Sequence, residues 1–186
     1  MVETLRARQA GAAGLSASGL RRAAERGEYE RIARGIYRAS DAAPANWEWI
    51  EAVSRNSAAT ICLTSALAHY DLTDEIPEAL EVAIPRGSRL PATEGAISWR
   101  SFDAATFEIG RSMIDIEGSD LRVGIYSPER CIADAFRMRA EVGYELGRDA
   151  LKEWLRRGGK PTTMIAMAES LPRARRPLVT ALEILA

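Results

Sequence analysis

Histidine, cysteine and lysine are scarce in this 186-residue chain, and each scarcity removes a class of chemistry. The single histidine, His69, leaves no pair with metal-ligand spacing. Cys62 and Cys131 lie far apart, without the spacing of a zinc site or redox pair, and sit among apolar neighbours where a free cysteine acts as a small core residue. Of the 25 basic residues only Lys152 and Lys160 are lysines. No Gly-rich phosphate loop ending in Lys and Ser/Thr can be written with them. Both fall in the helical tail, so the strand-borne Glu-x-Lys of restriction-type nucleases is absent too. No run of about 18 apolar residues occurs, which excludes a membrane-spanning helix of that kind. The opening Met-Val-Glu-Thr-Leu-Arg-Ala-Arg mixes charge from the start, without an apolar signal region, so the expected location is cytoplasmic. These absences give the expectation of a non-enzymatic protein without cofactor or metal.

What is present begins with an uneven charge. Residues 1–40 hold eight arginines against four glutamates, a net +4, which leaves −5 for residues 41–186 within the overall −1. A basic head on an acidic body points to a polyanion as the partner of the head and to some other task for the body. The 47% hydrophobic content is enough for a packed core, and the length suits one domain or a small one joined to a medium one.

The clearest local signal is a helix opening at Ser16, whose hydroxyl can cap the first turn. Leu15 and Leu20 form a candidate hydrophobic staple, and Gly27 supplies the left-handed stop. Leu20, Ala23 and Ala24 make its apolar stripe, with Ser18, Arg21, Arg22 and Arg26 off that stripe. Thr4 to Ala13 reads as a preceding helix ended by Gly14, so that Gly14-Leu15-Ser16 is a helix–turn–helix corner. Residues 29–32 and 36–39 flank Ala33-Arg34-Gly35 as a hairpin placed where a wing would follow. After a linker at 40–45, helices are expected from Asn46 and across Thr64–Tyr70. Strands are expected at 80–84, 97–100, 113–117 and 121–126, and then a helical C-terminal third opening on Ser127-Pro128. The reading is α+β: a winged helix–turn–helix at 1–40, followed by a mixed α/β domain at 46–186.

The string Gly14-Leu-Ser-Ala-Ser-Gly-Leu-Arg-Arg-Ala-Ala-Glu-Arg-Gly27, with Arg34-Gly-Ile-Tyr-Arg38, resembles the N-terminal domain of AbiEi-type antitoxins. Thr64–Thr73, Ile76-Pro77 with Ala83–Gly87, and Ser127–Phe136 resemble the second domain of that family. The resemblance implies a winged-helix repressor of its own promoter, reading inverted repeats. It also implies a C-terminal domain that counters a cognate nucleotidyltransferase-type toxin in a type IV toxin–antitoxin, phage-defence system. Members usually carry another helix ahead of the pair, whereas only about a dozen residues precede Gly14 here, so the expectation is either a start placed too late or a reader cut down by its first helix. The alternative is a stand-alone winged-helix regulator with a ligand-sensing body.

Candidate DNA contacts are Ser18, Arg21, Arg22 and Arg26 on the capped helix, and Arg31 and Arg34 at the wing, where guanidinium groups suit phosphates and guanine edges. The residues do not name the toxin-binding face. Several other residues have plainer readings. His69 and Ser65 share a helical i, i+4 spacing but lack the elbow and orienting acid of a nucleophilic site, so His69 reads as structural. Asp134, between Arg130 and Arg137, reads as a member of exposed helical ion pairs. Asp115 and Glu117 share a solvated strand face. Lys152, Arg156, Arg157, Lys160, Arg173, Arg175 and Arg176 form a second basic cluster that reads as a solvated helical surface, with contact to nucleic acid or an acidic toxin face as the alternatives. Trp47, Trp49, Trp99 and Trp154 are dispersed, which suits core or interface packing better than base stacking.

Overall fold

Gly27 sits at φ +78° and closes the first α-helix with paired bonds: its N–H donates to Ala24 O, and the Glu28 N–H reaches back to Ala23 O. That helix, α1, runs Ala17–Glu25 and is opened by the Ser16 hydroxyl, which accepts from Gly19 N–H at 3.0 Å. In the computed structural model, which describes residues 4–185, α1 lies against a small antiparallel sheet. Its strands are β1 (Thr4–Arg6), β2 (Tyr29–Ala33) and β3 (Ile36–Ala39), in the order β1-β3-β2. Leu5, Ala10, Leu20, Ala23, Tyr29 and Ala39 form the core between helix and sheet. The hairpin turns through Arg34-Gly35, where Ala33 faces Ile36 across an irregular register.

The helix expected over Thr4–Ala13 is a strand followed by a 3-10 helix, Ala7–Ala13. Thr4, Leu5 and Arg6 pair with Arg38, Tyr37 and Ile36, which commits them to extended backbone. The remaining segment has no side-chain cap and is too short to hold an α-helix by propensity alone. The segment ahead of α1 is therefore β–3-10 rather than α.

The rest of the chain is built on a five-stranded sheet in the order β6-β5-β4-β8-β7. The strands are β4 (Thr60–Ile61), β5 (Leu80–Pro85), β6 (Ile97–Phe102), β7 (Arg111–Asp115) and β8 (Arg122–Tyr126). Pairings are mixed: β4–β8 and β5–β6 are parallel, β4–β5 and β7–β8 antiparallel. Its helices are α2 (Trp47–Arg55), α3 (Leu63–His69), α4 (Pro128–Arg137), α5 (Arg139–Val142), α6 (Tyr144–Arg156), α7 (Pro161–Glu169) and α8 (Arg175–Leu185). With two sheets and eight α-helices among the described residues, the α+β class expected from the sequence holds.

The Ser127 hydroxyl caps α4 by accepting from Arg130 N–H, with Pro128 in the first turn, and the helix then runs through the centre of the body. It packs against α3, α6, α7 and α8, so it has almost no solvated face. That overturns the exposed ion pairs expected at Asp134. Arg130 and Asp134 are fully buried, with Arg130 Nε donating to Asp134 Oδ2 at 2.8 Å and Arg137 Nε to Oδ1 at 2.5 Å. Arg130 Nη1 also donates to the carbonyls of Thr106 and Ile109, and its guanidinium lies 4.3 Å from the Tyr126 ring centroid.

The small sheet is tied to this body by buried and half-buried arginines. Arg38 on β3 is 1% exposed, donates to Ala43 O and Gly118 O, and lies over the Trp47 ring. Gly118 has φ +71°, and a Cβ there would run into the Pro44 carbonyl, so both conformation and space require glycine. Ile32 on β2 packs onto the main core. About forty residues bury too little apolar surface to stand alone easily, and these links supply part of what that small core lacks.

Candidate nucleic-acid interface

The outward surface of α1 carries the expected arginines together. Ser18, Arg21, Arg22 and Arg26 are all exposed, because Leu20 and Ala23 take the opposite face into the small core. Each is differently occupied. Arg21 lies 3.6 Å from Glu25 one turn on, with both side chains well solvated. Arg26 grips Glu28 with two bonds of 2.6 and 3.1 Å, which raises the arginine and lowers the glutamate from their ordinary pKa values. Arg22 has no ionic partner among the described residues. Ser18 Oγ lies 3.0 Å from Ser16 Oγ, beside the cap. Such solvated pairs contribute little to stability and are easily exchanged for phosphate.

A groove of about 580 Å3 separates α1 from the hairpin, and Arg21, Glu25, Tyr29, Arg31, Tyr37 and Ser40 line it. It brings Arg21 and Arg31 onto one concave surface. Arg34 is not part of it. Its side chain belongs to a different pocket, beside Arg6, Arg8 and Arg55. The six expected contacts thus divide between two faces.

The hairpin end is also held from the body by residues the sequence reading did not single out. Glu94 accepts from Arg31 Nη2 at 3.0 Å and from the Arg34 N–H at 2.8 Å. Arg55 Nη1 donates to the Arg34 carbonyl at 3.1 Å. Glu51, 3% exposed on α2, accepts from Arg55 and from the backbone N–H groups of Glu94 and Gly95, which fixes the loop carrying Glu94. The Glu51–Arg55 spacing of i, i+4 was available as a signal. Nothing local announced Glu94, whose partners are about sixty residues away.

The other singled-out residues have structural settings. His69 is exposed at the end of α3, with its ring 5.4 Å from Trp49 and 5.1 Å from Tyr70. Ser65 Oγ accepts from the Glu81 N–H at 2.9 Å. Asp115 and Glu117 are exposed, and Asp115 pairs with Arg122. In the second basic cluster, Arg156 and Arg157 both grip Glu153 and hold its carboxyl down to about 2. Arg157 also donates to the carbonyls of Tyr70 and Asp71, and Arg175 pairs with Glu169. Cys62 and Cys131 are free and buried, and burial pushes both thiols well up. No cluster of three metal-ligating side chains occurs among the described residues, and no helix among them is long and apolar enough to cross a membrane.

Among solved structures, the chain is similar to the RV2827C protein from Mycobacterium tuberculosis, at 15% identity and a TM-score of 0.49, with 98% of this chain and 75% of that one covered. No curated protein matches it. Over residues 2–40, the segment carrying α1 and the hairpin, the chain matches the family described as transcriptional regulator, AbiEi antitoxin, as its residues led us to expect.

Proposed function

We propose that the segment 1–40 is a DNA-binding head, with α1 as its reading helix and the β2–β3 hairpin as its wing, that binds the promoter of its own operon and represses it. Ser18, Arg21, Arg22 and Arg26 on α1 meet the major groove and its phosphates, while Arg31 and Arg34 act from the wing. The observation that carries this reading is the family match over 2–40, because it falls on the one segment whose helix turns an arginine face outward beside a hairpin groove. Residues 46–186 form the antitoxin domain, acting in the cytoplasm against a nucleotidyltransferase-type toxin of a type IV, phage-defence system. The protein performs no catalysis in this role.

A mobility-shift assay on the operon promoter tests the first half. Arg21→Ala/Arg22→Ala should weaken binding at least about tenfold, as expected when contacts worth about 1–3 kcal/mol each are removed. Unchanged affinity would take α1 out of the reading role. The second half is tested by co-expressing the full chain with a nucleotidyltransferase-fold toxin encoded beside it. The Arg21→Ala/Arg22→Ala chain should still restore growth while failing to hold the promoter. If growth is not restored by the unaltered chain, the antitoxin reading falls.

A further inference from the structure

A pocket of about 300 Å3 lies where the small sheet meets the body, and its polar wall is almost wholly cationic. Among the described residues, Arg6 enters from the end of β1, Arg8 from the 3-10 helix that follows, Arg34 from the hairpin turn and Arg55 from the end of α2, with no carboxylate in the lining. The nearest acids are already engaged. Glu51 is bonded by Arg55, and Glu94 by Arg31 and the Arg34 N–H.

The donors are unevenly spent. Arg55 gives Nε and Nη2 to Glu51 and Nη1 to the Arg34 carbonyl. Arg6 gives only Nη2, to Val53 O at 2.9 Å. No hydrogen bond or ion pair occupies the Arg8 or Arg34 guanidinium among the described residues. Arg6 is held below its ordinary pKa, first by burial and then by the charge of Arg8, a repulsion that an anion between them would relieve.

We propose that this seam pocket is a phosphate-binding site in which Arg6, Arg8, Arg34 and Arg55 grip the oxyanion. Planar guanidinium forks match phosphate oxygens in pairs, and a pocket of this size takes one or two phosphate groups. Because Arg34 belongs to the hairpin and Arg55 to α2, the occupant bridges head and body. The site stands apart from the α1 surface, shares only Arg34 with the contacts proposed for DNA, and does not rest on that function.

Titration of the full chain with sodium pyrophosphate, followed by calorimetry at constant ionic strength, tests the site. Saturable binding is expected. Arg8→Ala, which removes an exposed side chain, should weaken it about tenfold, the worth of one charge-assisted hydrogen bond. Arg176→Ala on α8 should bind as the unaltered chain does. Absence of saturable binding, or equal loss in Arg8→Ala and Arg176→Ala, overturns the proposal. Non-specific duplex binding over a salt series identifies the phosphate's source. A backbone phosphate in the pocket predicts that Arg8→Ala reduces the slope of log K against log salt by about 0.9. A free phosphate ligand predicts an unchanged slope with pyrophosphate binding lost. A chain that binds pyrophosphate but no DNA would refute the proposed function and leave the pocket standing.

Discussion

Asp134→Asn is the substitution whose outcome the fold constrains most tightly. The change keeps the shape of the side chain and removes its charge, leaving the Arg130 guanidinium, 0% exposed, without its counter-ion. Arg130 Nη2 already lacks a hydrogen-bond partner, so there is little slack for rearrangement. The neighbouring Tyr126 and Phe102 rings favour a cation but do not neutralise it. Breaking one side of a buried pair costs about 3–5 kcal/mol. At about 2–4 °C per kcal/mol for a chain of this size, the melting temperature should fall by ~10 °C. Urea unfolding followed by far-UV circular dichroism reads the change directly. Arg130→Met combined with Asp134→Leu should cost less than Asp134→Asn alone, since the fully buried Arg130 charge goes with its partner and only Arg137, at the edge of the core, is left to reach solvent. A loss below ~1 kcal/mol for Asp134→Asn, or a double variant worse than the single one, would refute the buried-triad account. The burial also bears on chemistry: both Asp134 oxygens are taken by arginines inside the core, so this carboxylate is not presented to a metal or a substrate.

Three further outcomes follow from the packing. A Cβ on Gly124 of β8 would lie 2.6 Å from Thr60 Oγ1 and 2.9 Å from the Ala59 carbonyl, so Gly124→Ala should cost about 1–3 kcal/mol in urea unfolding as β4 and β8 are pushed apart. Glu94→Ala should change global stability by less than about 1 kcal/mol, because the Arg31 pair is half solvated, yet hydrogen exchange at the Arg34 amide should quicken measurably. Stability should decline as pH rises beyond the ordinary thiol and phenol range, because burial raises Cys62 and Cys131 and pushes Tyr70 up to about 12 in the folded chain. Native protein holds those protons longer than unfolded protein, so the stabilisation is full below the unfolded values and is lost above them; a flat stability curve from pH 8 to 11 would contradict it.

Elements whose boundaries are set by their own residues were legible in the sequence. Ser16 and Gly27 delimit α1, and Ser127-Pro128 opens α4, since a cap is a bond between neighbours. The hairpin around Gly35 and the pairing of β7 with β8 are equally local. What escaped depends on partners far along the chain. Thr4–Arg6 is extended because β3 lies beside it, and two-residue β4 carries no period of its own yet is the middle strand of its sheet. Asp134 shows the same limit in a helix. Spacing correctly named Arg130 and Arg137 as its partners, but burial was decided by α3, α6, α7 and α8 closing over α4.

Charge along the chain carries the same ambiguity for the candidate interface. Of the eight arginines in the first forty residues, Arg6, Arg31 and Arg38 reach into the body, to Val53, Glu94 and Gly118. Arg21 and Arg26 face outward beside Glu25 and Glu28, and the guanidinium groups of Arg8, Arg22 and Arg34 are held by no partner among the described residues. The solvated pairs can be given up to a phosphate at small cost, whereas Arg38 cannot leave without opening the seam against Trp47 and the Gly118 turn. Part of the basic excess that first pointed to a polyanion is therefore structural. It fastens a sheet with a small core to the body, and the arginines left over are divided between the α1 surface and the pocket at the seam.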